Sequence, residues 1–334
     1  MKHIAELTRR IPWLRFLPAM ILAMSALVPP ETLAQVPARF YWRTLSGSSG
    51  VPLIVDSING NTNPFNPAQA VLPESNVDGT MAIMGYAYNF SLLDRSAQAV
   101  VILPMGRVSG DVTVAGRTFS QSANGFGDPM LEFNINVLGP PAQENLPDVL
   151  RYEPGFSVNV LADLALPIGE YDSSQALNLG QNRWYGRVGM PIVWQLGAWV
   201  PGRRTTLEFM PALWFFGENN DFVGQTLETD PLFHLDAHIT RDLTEHFWGS
   251  LDGSWYNGAR QTINGVDGDK RNDLAFGLTL GYQVNDNLNL TFGYMSTVND
   301  DAPSDLSMDR FMITLVYGWH PLLEGSRRLK EEEK

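Results

Sequence analysis

Apolar and polar residues alternate one for one along most of this chain. In "LTLGYQVNDNLNLTFGYM" (278–295), Leu278, Leu280 and Tyr282 alternate with Thr279, Gly281 and Gln283. After Asn285, Asp286 and Asn287 the alternation resumes, with Leu288, Leu290, Phe292 and Tyr294 set against Asn289, Thr291, Gly293 and Met295. Successive side chains on a strand point to opposite faces, so this stretch predicts two strands joined by a short turn. The same reading predicts twelve strands, at 37–45, 78–93, 96–108, 127–138, 154–168, 182–196, 204–217, 230–241, 246–257, 272–283, 287–298 and 308–319. Capped amphipathic helices are missing, and so are the repeats of roughly 20–50 residues that mark a solenoid or propeller. After residue 34 no apolar run is long enough to cross a bilayer as a helix.

The connections carry a second pattern. Those at 46–77, 109–126, 169–181, 218–229, 258–271 and 299–307 are mostly long and rich in Gly, Asn, Asp, Ser and Pro. Those between them, at Asp94-Arg95, "GAWVPGR", "DLTE" and "NDN", are short, and only "GPPAQENLPDVLRYE" breaks the short series. This sorting predicts an all-β fold, a transmembrane antiparallel up-and-down β-barrel of twelve strands. Short periplasmic turns, long extracellular loops and termini in the periplasm belong to that architecture.

The two faces of the strands say which way the barrel is turned. In 127–138, Leu131, Phe133, Ile135 and Val137 oppose Met130, Glu132, Asn134 and Asn136. In 154–168, Phe156, Val158, Val160, Ala162, Leu164 and Leu166 oppose Ser157, Asn159, Leu161, Asp163 and Ala165. A soluble sandwich would bury the apolar face as its core, whereas a membrane barrel turns it to lipid and lines its lumen with the mixed face. Strand 182–196 favours the membrane, because Trp184 and Trp194 share one face ten residues apart. That is about 33 Å along a strand, or roughly 25 Å after a tilt near 40°, the height of the apolar band between aromatic girdles. Phe247 and Trp255 flank a similar face, and Tyr317 and Trp319 close the last strand. These six aromatics are the expected girdle. The barrel assembly machinery reads such an aromatic final strand, and "HPLLEGSRRLKEEEK" (320–334) follows it as an expected charged periplasmic tail.

Targeting and charge fit export. Lys2, Arg9, Arg10 and Arg15 precede the apolar run 16–28, and small residues follow up to Ala34. This predicts a signal peptide over 1–34, the barrel over 35–319, and localisation to the cell outer membrane by way of the periplasm. The chain has no cysteine, so neither disulfides nor thiolate-bound metal holds the fold. Net charge is −13, and removing four positive and two negative side chains with residues 1–34 takes the mature chain to −15. Nucleic acid, which needs a basic footprint, is excluded as a partner. The expected partners are outer-membrane lipid and lipopolysaccharide, the assembly machinery and a small-molecule solute.

Three stretches carry a resemblance: "NGFGDPMLEFNINVLG" (124–139), "ALPIGEYDSSQALNLGQNRWYGRVGMPIVWQLG" (165–197) and "GYQVNDNLNLTFGY" (281–294). With them the mature chain resembles the bacterial outer-membrane family described as "Putative MetA-pathway of phenol degradation". The resemblance implies an outer-membrane barrel that admits aromatic or other hydrophobic compounds, and it supplies no catalytic set. Gly125, Gly127 and Asp128-Pro129 read as loop-to-strand geometry. A phosphate-cradling loop would need a helix directly after, and a strand is predicted there.

Candidate chemistry lies on the mixed face. Ala275, Gly277, Thr279, Gly281, Thr291 and Gly293 make one small-residue wall, opposed by Arg187, Glu208, Trp214, His234, Asp236, His238, Asp252 and Tyr256. These eight are the expected lumen lining along a lopsided solute path. His234, Asp236 and His238 share a face, but histidines nearly 7 Å apart on a strand suit one metal ion poorly, so no metal or other cofactor is expected. Pairing residue 240 with 248 would set His238 opposite Ser250 and Asp236 opposite Asp252, close to a Ser-His-Asp set. No oxyanion donors accompany it. The long 46–77 connection is expected either to fold inward or to form an external flap. Acidic loops at Glu218–Asp221 and around Asp300, Asp301, Asp305 and Asp309 suggest divalent cations bridging to lipopolysaccharide. The sequence thus points to an outer-membrane channel for passive uptake of a small hydrophobic or aromatic solute, without catalytic residues. A lumen hydrolase and a structural envelope barrel are the alternatives.

Overall fold

In hydrocarbon every backbone N–H and C=O must find a partner within the protein, and a sheet achieves this only when its two edges meet. Here they meet. The computed structural model describes residues 36–72, 74–114, 117–298 and 305–321. In chain order its elements are β1 (Ser49–Gly60), β2 (Asn76–Leu92), β3 (Arg95–Val114), β4 (Arg117–Phe126), β5 (Met130–Leu138) and helix α1 (Leu146–Arg151). There follow β6 (Phe156–Ala165), β7 (Tyr185–Gly189), β8 (Ile192–Gln195), β9 (Thr205–Phe216), β10 (Asn219–Phe222) and β11 (Gln225–Thr229). The rest are β12 (Leu232–Asp242), β13 (Phe247–Gly258), β14 (Gln261–Ile263), β15 (Val266–Asp267), β16 (Arg271–Gln283), β17 (Leu288–Thr297) and β18 (Met308–Trp319).

Each wall strand pairs antiparallel with its neighbours, and β1 closes on β18 in register from Ser49 opposite Trp319 to Gly60 opposite Met308. Strand β4 gives way to β5 across Gly127–Pro129, and β7 to β8 across Met190–Pro191, so the wall counts twelve staves. The face assignment is as expected. Leu131 is 45% exposed and Trp194 48%, with Phe133, Val160, Leu164 and Trp184 also outward. Their neighbours Glu132, Asn134, Ser157, Asn159 and Asp163 are buried inside. The opening hairpin obeys the same rule, with Leu278, Leu280, Tyr282 and Phe292 outside and Thr279 and Thr291 inside.

Four expectations are corrected. Residues 37–45 are not the first strand; that strand is β1, inside the stretch read as a long loop, and 37–45 lie within the lumen. Alternation misleads there because Pro37 and a left-handed Arg39 (φ 67) fold the chain into turns, closed by Phe40 N–H to Pro37 O and Trp42 N–H to Arg39 O. The connection 109–126 is a hairpin instead, β3 running on to Val114 and β4 returning. The loops at 218–229 and 258–271 contain β10, β11, β14 and β15, which join in a separate four-stranded sheet. Finally, the long connection at the short-turn end holds α1, started by a capping box in which Asn145 and Asp148 each accept the other's backbone N–H. The expected signal peptide and the tail beyond Pro321 lie outside the described residues.

Candidate functional site: the stoppered lumen

The eight residues expected to line the lumen all point inward and are buried: Arg187, Glu208, Trp214, His234, Asp236, His238, Asp252 and Tyr256. They do not border an open passage. Two segments of the chain itself occupy the barrel, one in each half.

In the periplasmic half the stopper is the segment 36–48. The Arg39 backbone N–H donates to Glu208 Oε2 (2.9 Å), its Nε to Thr240 Oγ1 (3.1 Å) and its Nη1 to Asp242 Oδ1 (2.7 Å). The guanidinium lies between two indoles, 4.3 Å from the Trp42 ring and 4.4 Å from that of Trp248. Trp42 Nε1 donates to Glu208 Oε1 (2.8 Å), which Thr206 also reaches. Arg43 donates to Pro140 O and Ser157 Oγ, and Val36 N–H to Asp236 Oδ2 (3.4 Å). Near the rim, Ser46 N–H bonds Gln143 O and Gly47 N–H bonds Asn89 O. Trp248 lies over Gly281, its register partner, where any Cβ would overlap the indole. At Gly281 the small-residue wall is therefore not a free path: the missing side chain makes room for the ring that backs Arg39.

In the extracellular half the stopper is the β1–β2 loop. Among its buried residues, Asn63 donates to Asn178 O (2.7 Å), Gln181 Nε2 to Phe65 O (3.1 Å), and Thr62 Oγ1 to Ala70 O. Ala68 packs with Tyr185, Trp214, Leu232 and Tyr256 in an apolar cluster that Phe216 adjoins. Sequence reasoning found the candidate loop but not its path, because turns made by Asn63 and Asn66 over the residues two ahead leave no periodic signal. Asp128 pins the neighbouring loop by accepting Gly169 N–H (2.9 Å) and Gln181 N–H (2.7 Å), which accounts physically for the Gly-Asp motif. Nearby, hydrogen bonds from Ser174 and Gln175 hold Asp172 down at about 2.

Between the stoppers run ion pairs and hydrogen bonds. Arg187 Nε meets Asp163 Oδ2 at 2.5 Å, with Glu132 at 3.8 Å and the Trp214 ring at 4.9 Å. Arg310 grips Asp56 with two donors at 2.8 and 2.9 Å. His234 Nε2 lies 3.0 Å from Asp236 and its ring stacks on Tyr256, while Ser254 donates to Asp236. The expected register of β12 on β13 is corrected: residue 240 pairs with Ser250, so His238 faces Asp252 and Asp236 faces Ser254. Ser250 accordingly donates to Asp252 (2.6 Å), while His238 Nδ1 holds the same oxygen at 2.7 Å. A serine bonded to the carboxylate is not a nucleophile aligned on histidine, and the triad does not assemble. Among the described residues no His, Asp or Glu group is arranged to hold a metal ion. Of the expected girdle, Trp184, Trp194, Trp255 and Tyr317 are exposed outside, with Phe247 and Trp319 half-buried.

Sequence reasoning missed Arg183, just before β7. Its Nη1 donates to Thr229 Oγ1 (2.7 Å) and Gly217 O (3.5 Å), and its guanidinium lies 5.1 Å from the Phe216 ring. Among the described residues no carboxylate pairs with it, its Nε and Nη2 have no hydrogen-bond partner, and burial pushes its pKa down to about 10.

Comparison with known proteins bears on this architecture. The family described as "Putative MetA-pathway of phenol degradation" matches residues 60–315. No curated protein matches the chain. The COG4313 outer membrane channel from Pseudomonas putida F1 is similar in structure, with a TM-score of 0.66 at 16% identity over 86% of this chain and 100% of that one. The translocator domain of the autotransporter NalP from Neisseria meningitidis gives a TM-score of 0.45 at 10% identity, over 84% of this chain and 90% of that one.

Proposed function

The chain belongs to the family described as "Putative MetA-pathway of phenol degradation", and from that premise we propose that it is a stoppered outer-membrane channel for passive entry of a small hydrophobic or aromatic solute. The observation that carries this reading is how the 36–48 segment is seated. A barrel serving only the envelope would be cheaper to fill with apolar side chains, because each buried charge loses hydration that its partner only partly restores. This lumen instead keeps a polar lining, and its periplasmic stopper is fastened by hydrogen bonds and one ion pair, Arg39 to Asp242. The side-chain contacts of 36–43 release without breaking the wall, since the segment joins the ladder only at Gly47 and Ser48, which bond Asn89 of β2. A twelve-strand barrel lies between those of about eight strands, filled by side chains, and those of about sixteen, which hold an aqueous channel. With both stoppers displaced, its bore suits a small molecule. The family description speaks for an aromatic one, as does the cluster of Tyr185, Trp214 and Tyr256 near the mouth.

Planar-bilayer recording tests the proposal. The full chain is expected to give brief, infrequent openings in potassium chloride. The double substitution R39A/W42A, which removes the ion pair and the Trp42 indole bond to Glu208, is expected to raise the open fraction by about tenfold or more, since charge-assisted hydrogen bonds contribute about 1.5–3 kcal/mol each. Silence from both proteins overturns it.

A further inference from the structure

Among the described residues of the extracellular half, Arg183 presents a paired-donor edge that the fold leaves unused. The side chain is 3% exposed. Of its three nitrogens, Nη1 is spent on Thr229 and Gly217, while Nε and Nη2 are buried with no hydrogen-bond partner. Those two N–H groups lie on the same edge of the planar guanidinium, parallel and spaced to meet both oxygens of one carboxylate. Asp128, whose charge acts on Arg183 from a distance, is not that carboxylate, because its own oxygens accept Gly169 and Gln181. A buried cation with two unmet donors is costly, and a negative group placed on that edge relieves both deficits.

What surrounds the edge defines the rest of the ligand. The Phe216 ring lies beneath the guanidinium. Phe216 adjoins the cluster in which Tyr185 and Trp214 pack against Ala68 of the inward-folded β1–β2 loop. The aromatic surface nearest the guanidinium is thus the Phe216 ring, continuous with this cluster, and it suits an anion with an aromatic body. The β1–β2 loop is tied to the same region through Gln181 and Phe65, two residues before Arg183.

We infer that Arg183 is a carboxylate seat at the extracellular stopper, and that the solutes it selects are small aromatic carboxylates. This rests on the reading of the barrel as a solute channel and names the solute class for it. A neutral aromatic amide or alcohol shares the ring but cannot bring a negative charge to both donors, and a short aliphatic acid shares the charge but leaves the aromatic cluster unfilled.

The experiment uses the full chain, purified in detergent, titrated calorimetrically with benzoate, benzamide and acetate. Benzoate is expected to bind at least about tenfold more tightly than either of the others, the margin typical of a charge-assisted paired contact. In R183Q the benzoate preference over benzamide is expected to disappear. Equal affinity of the unaltered protein for benzoate and benzamide overturns the inference without any variant. So does an R183Q protein that keeps the preference, or acetate binding as tightly as benzoate. Conductance in potassium chloride involves no aromatic acid, so a conducting barrel that ignores benzoate sinks the carboxylate seat and leaves the channel standing.

Discussion

Two buried guanidiniums a few residues apart show how differently one side chain can be treated. Arg187 is compensated by Asp163 at 2.5 Å and Glu132 at 3.8 Å, so it neutralises part of a two-carboxylate site. Removing it strands both carboxylates, and breaking a buried pair from one side typically costs about 3–5 kcal/mol. R187Q is therefore expected to lower the midpoint of heat-induced mobility shift on gels markedly. Arg183 has no such partner, so R183Q is expected to leave that midpoint unchanged or raised. Burial holds the folded pKa of Arg183 at about 10, below the ordinary guanidinium value of the unfolded chain. Between those values the unfolded chain keeps a proton that the folded chain has lost, so stability rises with pH across that window. Urea titrations from pH 9 to 12 should show an alkaline gain in the native protein relative to R183Q, and identical slopes would contradict it.

Strands and strays differ in what the sequence pattern can reveal. Where an element lies in the wall, lipid on one side and lumen on the other enforce period two, and residues such as Leu278, Thr279 and Leu280 announce their faces directly. Segment 36–48 answers to no such rule. It meets the lumen lining on several sides, and its aromatic and basic residues alternate by chance in a strand-like way while Arg39 takes a left-handed turn. Gly281 illustrates a third case: its small size is legible, but what occupies the space, the Trp248 indole, comes from the facing strand. Gly281→Val must displace that ring and so remove one of the two faces on which Arg39 stacks. In bilayers this variant is expected to open more often than the native chain. In an R39A background the same change should add little, because both alterations then act on one contact.

At the scale of the whole molecule, the barrel and the inward set of charged residues were legible, but the state of the lumen was not. Closure is set by long-range pairs such as Arg39 with Asp242, about two hundred residues apart, and local patterning contains no trace of them. The same distance shapes how the channel opens. The periplasmic stopper binds Glu208, Thr240, Asp242 and Asp236, whereas the β1–β2 loop binds Asn178 and Gln181, so in these contacts the two share no partner. They obstruct one lumen in series, so in the proposed channel a solute would pass only when both are displaced. If each moves independently, the open fraction is the product of two probabilities, and loosening both multiplies the separate gains. The N63A substitution frees the loop from Asn178, and R39A frees the segment from Asp242. Recorded together in bilayers, N63A/R39A is expected to raise the open fraction by the product of the single effects, within about a factor of two given additivity to roughly 0.3–0.5 kcal/mol at separated sites. A double variant no more open than the better single one would mean that the two segments move as one body.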